Sequence, residues 1–111
     1  MESKLVLYDN YKKSNGSFTY YLEEREVFNR FAFGNLCESI RHLAETSPGN
    51  REVLLQVHAV YAGILKCFIH HGTNGGGSLI TGLPSGNIDF MDDLDRAVME
   101  YMKTCGTEET R

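Results

Sequence analysis

The sequence predicts an α+β fold that is mostly helical: an N-terminal β-hairpin, with room for a third short strand, packed on three helices. Three observations predict it. The turn dipeptide Asn15-Gly16 lies between two short runs, 5–8 and 17–22, that read as strands. Three longer segments repeat apolar residues at helical spacing. The length, 111 residues, suits a single domain, 1–111.

In the hairpin, residues 5–8 alternate weakly and 17–22 are rich in aromatics and Thr. Alternation places Phe18, Tyr20 and Leu22 on a core face and Thr19 and Tyr21 on the other. Two strands alone are marginal in water, so the hairpin must pack on the helices.

The first helix is predicted over 24–45, with Phe28, Phe31, Ala32, Leu36, Ile40 and Leu43 as its apolar stripe and Phe33, Cys37 and Ala44 widening it. Gly34, worth about 1 kcal/mol against Ala inside a helix, reads as a kink or a close backbone approach. Ser47-Pro48-Gly49-Asn50 stops this helix and starts the next.

The second helix, 51–71, is apolar around most of its circumference. Its remaining stripe runs Glu52, Gln56, Ala59, Gly63, Lys66 and His70. Such a helix is central in its fold. The Ala59/Gly63 spacing predicts that another backbone comes close, within the chain or from a second copy. The third helix, from 87 or 89 to 105, is cleanly amphipathic, with Phe90, Met91, Leu94, Ala97, Val98, Tyr101, Met102 and Cys105 on one face. Residues 107–111 read as a frayed tail.

Between the second and third helices lies a Gly-rich loop, 72–87. It lacks the known phosphate-binding fingerprints: Gly72 to Gly77 has P-loop spacing, but Ser78 stands where Lys is required. Residues 78–81 read as the optional third strand. The acidic cluster Asp89, Asp92, Asp93 and Asp95 misses EF-hand spacing. Cys67, His70 and His71 share a helix face but lack a clear fourth zinc ligand. No catalytic motif occurs. No catalytic residue, cofactor or metal is therefore expected.

Charge narrows the partners. Residues 1–51 carry balanced charge, and residues 52–111 carry the whole net −4. A basic face for duplex DNA is not visible, so duplex DNA is not an expected partner. No signal-peptide pattern follows Met1, and the longest uninterrupted apolar run is short for a bilayer. Three widely spaced cysteines do not suggest a disulfide framework. The expected compartment is a reducing cytoplasm, of the cell or of an infected host cell, without membrane association.

The function expected is that of a non-enzymatic, small, acidic, homo-oligomeric binding protein that inhibits or sequesters a partner, of the immunity, anti-defence or regulatory type. Its partner surface is Asp89, Asp92, Asp93, Arg96 and Glu100, facing a basic protein. Its oligomer interface is His58, Ala59 and Gly63. The alternative is a nucleotide-like small-molecule sensor or sponge. There Tyr21 stacks, Lys12, Lys13 and Arg25 meet phosphates, and Thr73, Asn74, Gly75, Gly76, Gly77, Ser78 and Thr81 close over the ligand.

Overall fold

The computed structural model describes residues 2–73 and 88–106, with side chains through 69 and from 90 to 105. Five helices make up its regular structure: α1 (Ser3–Lys12), α2 (Phe18–Glu24), α3 (Arg30–Thr46), α4 (Arg51–Thr73) and α5 (Ile88–Gly106). No strand occurs among the described residues, so the α+β expectation is contradicted: the regular structure described is all helical. The suggested third strand and the loop positions 74–87 lie outside the described residues.

The predicted hairpin is instead two short helices joined by a turn. The turn itself is where Asn15-Gly16 put it: Lys13 takes a left-handed conformation (φ 58°) and Gly16 lies at φ 95°. Ser17 caps α2, its Oγ accepting the Tyr20 N–H at 3.2 Å. Asn10 locks the two helices together. Its Oδ1 accepts the Thr19 N–H at 3.0 Å, its carbonyl accepts the Thr19 hydroxyl at 2.7 Å, and its Nδ2 donates to the Val6 carbonyl at 2.9 Å. Thr19 and Asn10 are both buried, so each of these bonds satisfies a group that water does not reach. The strand reading placed Thr19 outward with Tyr21 and Tyr20 in the core; Thr19 is buried and Tyr20 only half-buried, because a helix groups 18, 19 and 22 on one face.

The four longer helices form a ring around one core: α1 packs on α3, α3 on α5, α5 on α4, and α4 back on α1, with α2 closing one end against α1, α3 and α4. Thus α3 and α4, although joined by the short 47–50 turn, lie diagonally across the core. The core runs from Leu7 through Phe18, Leu22, Leu36, Ile40 and Leu43 to Val57, Ile64, Leu94, Ala97 and Tyr101. At the α2 end, the Phe18, Phe28, Phe33, Phe90 and Phe68 rings form a cluster with neighbouring centroids 4.8 to 5.7 Å apart.

The bodies of α4 and α5 match the helices expected from spacing. The first expected helix begins later, at Arg30, where the Asn29 side chain accepts the Ala32 N–H at 3.0 Å. Phe31 was expected in its core stripe but is 89% exposed. The buried stripe runs Phe33, Leu36, Cys37, Ile40, Leu43, and Phe31 stands two residues out of that register, on the opposite face. Gly34 is also exposed, with nothing near the place a Cβ would occupy, so it marks no close backbone approach. Among the described residues a Cβ at Gly63 would meet the Glu23 carboxylate, at 3.9 Å, and no backbone presses on α4 there.

Candidate functional site

The candidate site is a shallow groove between α3 and the N-terminal half of α5, of about 350 Å³, lined by Arg30, Phe31, Gly34, Glu38, Arg41 and Asp93. It continues along α3 into a second depression bordered by Ser3, His42 and Glu45. The helical repeat explains this layout. On α3 the stripe opposite the core presents Arg30, Phe31, Gly34, Glu38 and Glu45 to solvent, and Gly34 lowers the ridge beside Phe31. On α5 the matching outward positions are Asp92, Asp93, Arg96 and Glu100.

Arg41 spans the groove. Its guanidinium donates to the Asp93 carbonyl at 3.4 Å and lies 4.0 Å from the Glu100 carboxylate. Both side chains of that pair are partly exposed, so solvent screens the ion pair and it contributes little to stability, about 0–1 kcal/mol. It does fix Arg41 across the groove, whose other charged lining residues are Arg30, Glu38 and Asp93, with Glu45 farther along α3.

Cys37 lies under this floor. Burial, partly opposed by the Arg41 charge and reinforced by Asp93, pushes its thiol from an ordinary 9.0 up to about 12. A thiol held neutral in this way is a packing group and not a nucleophile. The sign follows: the unfolded thiol ionises from about pH 9 while the folded one keeps its proton, so the unfolded state binds fewer protons there. Stability is therefore expected to fall as pH rises from about 9 toward 12, and Cys37→Ser or Cys37→Ala is expected to flatten that slope in urea melts across this range. Labelling of the folded protein at pH 8 should spare Cys37 and modify the half-buried Cys105, with Cys67, whose thiol burial also pushes up, reacting more slowly than Cys105.

One nucleophile–base contact escaped the sequence: the Ser3 Oγ lies 2.9 Å from His42 Nδ1. Ser3 is only 4% exposed at the start of α1, and its hydroxyl bridges α1 to α3 at the edge of the second depression. Such a Ser–His pair needs an accessible oxygen to attack a substrate.

The structure sorts the residues expected to be functional. Asp92, Asp93, Arg96 and Glu100 are exposed together on α5, as a surface role requires; the side chain of Asp89 lies outside those described. Asp95 is drawn away from this cluster, accepting a hydrogen bond from the Tyr61 hydroxyl of α4, and that bond with burial raises the tyrosine pKa. His58 and Ala59 are exposed on α4, and Gly63 is half-buried beside them. His58 stands on the open face, away from the core side that carries Val53, Val57, Val60 and Ile64.

The residues of the nucleotide alternative are less well assembled. Lys12 and Arg25 are exposed, Tyr21 is half-buried edge-on to Tyr20 at 5.6 Å, and Lys13 is paired with Glu23 at 2.8 Å. The remaining members, Asn74, Gly75, Gly76, Gly77, Ser78 and Thr81, lie outside the described residues, as does the side chain of Thr73. Sequence reasoning missed Phe31, Glu38, Arg41 and Glu45 as site residues. Phe31 keeps i+3 spacing to Phe28, and only its misfit with Phe33, Leu36, Cys37 and Ile40 marks it as outward-facing. No family model, curated protein or solved structure matches this chain, so the site stands on its own residues.

Proposed function

We propose that the protein is a non-enzymatic binding protein that captures a basic segment of a protein partner along the α3/α5 groove and so inhibits or sequesters it. The observation that carries this reading is Phe31, a large apolar side chain 89% exposed at the head of a groove whose lining mixes Arg30 and Arg41 with Glu38 and Asp93. Aromatic side chains surrounded by polar rims are the usual anchors of protein interfaces. Glu38, Glu45, Asp92, Asp93 and Glu100 supply the charge that steers a basic partner and fixes its direction, with Arg30, Arg41 and Arg96 as interruptions that set register.

The test is an array of Lys/Arg-rich peptides carrying one large apolar residue, read by fluorescence anisotropy at two salt concentrations. Binding is expected to weaken with salt. Phe31→Asp and the double change Glu38→Lys/Asp93→Lys are each expected to weaken it by about tenfold or more, with unchanged folding. If Phe31→Asp binds as the wild type does, the groove is not the site. If no peptide binds and a nucleotide instead raises the melting stability (about 2.7 kcal/mol at a hundred times Kd), the small-ligand alternative replaces this reading.

A further inference from the structure

We infer that the open face of α4 is a docking surface for a second copy of this chain, which lies antiparallel across it with the two-fold axis at Ala59. The face is unusually apolar for one turned to solvent: Leu55 is 60% exposed, and Ala59 is exposed beside it. Its border toward α1 carries two tyrosines beside Lys4 and Asn50. Tyr8 lines the same depression as Glu52, Val53 and Gln56, and Tyr11 stands 6.4 Å from Tyr8 between ring centroids. Both tyrosines are nearly half exposed.

The occupant follows from the arithmetic of the stripe. A two-fold axis at Ala59 pairs each residue with the one equally far on the other side in sequence. Glu52 then meets Lys66 of the second copy, twice, and Leu55 meets half-buried Gly63, beside the Glu23 carboxylate, twice. Glu52, Leu55, Ala59, Gly63 and Lys66 all recur in steps of three and four, so they lie on one helical face. Glu52 and Lys66 are both exposed, and neither is in an ion pair among the described residues. A parallel pair would set Glu52 against Glu52 and Lys66 against Lys66, so charge selects the antiparallel arrangement. The small side chain at Ala59 lets the axes approach to about 8–10 Å, and a shallow crossing of about 20° keeps the ends, about 21 Å apart along the helix, within side-chain reach. The result is isologous, the commonest closed symmetry.

By length and composition alone Arg51–Ile69 would also suit a bilayer, with 22% of that stretch buried inside the domain. The face that is most apolar, Val53, Val57, Val60 and Ile64, is already spent on the core, and the open face carries Glu52 and Lys66. A protein neighbour fits that mixed face and a lipid surface does not.

The experiment is sedimentation equilibrium of the full chain up to about 100 µM, with far-UV circular dichroism of each variant to verify folding. The wild type is expected to dimerise. Ala59→Arg, which sets like charges on the axis, is expected to give a folded monomer. Glu52→Lys and Lys66→Glu are each expected to raise the dimer Kd by about tenfold or more, and the double exchange Glu52→Lys/Lys66→Glu to return it to within about threefold of wild type. A monomeric wild type, a dimer indifferent to Ala59→Arg, or a double exchange no better than its single changes overturns the inference. So does wild-type protein that co-sediments with phosphatidylcholine/phosphatidylglycerol vesicles through Ala59. None of these outcomes depends on peptide binding at Phe31, on the opposite side of the domain.

Discussion

Phe18→Ala is expected to lower the stability of the protein by about 3–5 kcal/mol, the largest loss of any single change considered. Phe18 has no solvent-exposed surface, and its ring meets Phe28 and Phe33 edge-on, both at 5.2 Å between centroids. Removing it leaves a hole where α2, the 25–29 segment and α3 converge. The neighbours cannot collapse into it freely, because Phe33 and Phe28 are themselves held against Phe90. For a domain of this size the melting temperature should fall by more than about 10 °C, read by circular dichroism. Tyr20→Ala is the informative companion. In a strand, Tyr20 would share the core face with Phe18 and cost nearly as much. In α2 it is half-buried, and its loss should be a minor one. Equal losses at 18 and 20 would count against the helix.

Tyr101→Ala should rank next, at about 3–5 kcal/mol for the buried ring alone. Tyr101 is fully enclosed in the core, yet its hydroxyl reaches the turn that joins α3 to α4. It donates to the Ser47 carbonyl at 2.6 Å and accepts the Asn50 N–H at 2.9 Å. Three residues on, the Thr104 hydroxyl accepts the Gly49 N–H at 2.9 Å. The last turns of α5 thus hold in place the 47–50 turn, where Gly49 takes a positive φ of 65°. Tyr101→Phe separates the contributions. It keeps the ring and strips the hydroxyl, leaving a turn N–H and a turn carbonyl without this partner, at about 1–3 kcal/mol. Urea melts of the two variants should differ by the packing part. If Tyr101→Phe matches the wild type, the hydroxyl does not hold the turn.

How much of this was legible beforehand depends on the length of the pattern. Over 51–73 and 88–106 the apolar repeat runs for several turns, and only a helix satisfies it. The small and polar stripe of α4, read from spacing as Glu52, Gln56, Ala59, Gly63 and Lys66, is the face that stands open or half-open in the structure. Over 17–22 the pattern is too short. Phe18 and Leu22 lie on one face of a strand and equally on one face of a helix, so both readings recover the same two core residues. The candidate site was half visible. The acids of α5 could be placed from sequence, but their groove could not, since it needs α3 beside α5 with Phe31 turned outward.

By itself the sequence determined the helical bodies of α4 and α5, the Leu36, Ile40 and Leu43 part of the α3 core stripe, and the position of the turn at Asn15-Gly16, because each rests on a repeat or a backbone preference that is local. The tertiary structure decided whether residues 3–12 and 18–24 are strands or helices, and it decided for helices. The reason is physical: Asn10 reaches across the turn to satisfy Thr19, and Phe18 finds Phe28 and Phe33, contacts between segments that no six-residue window contains.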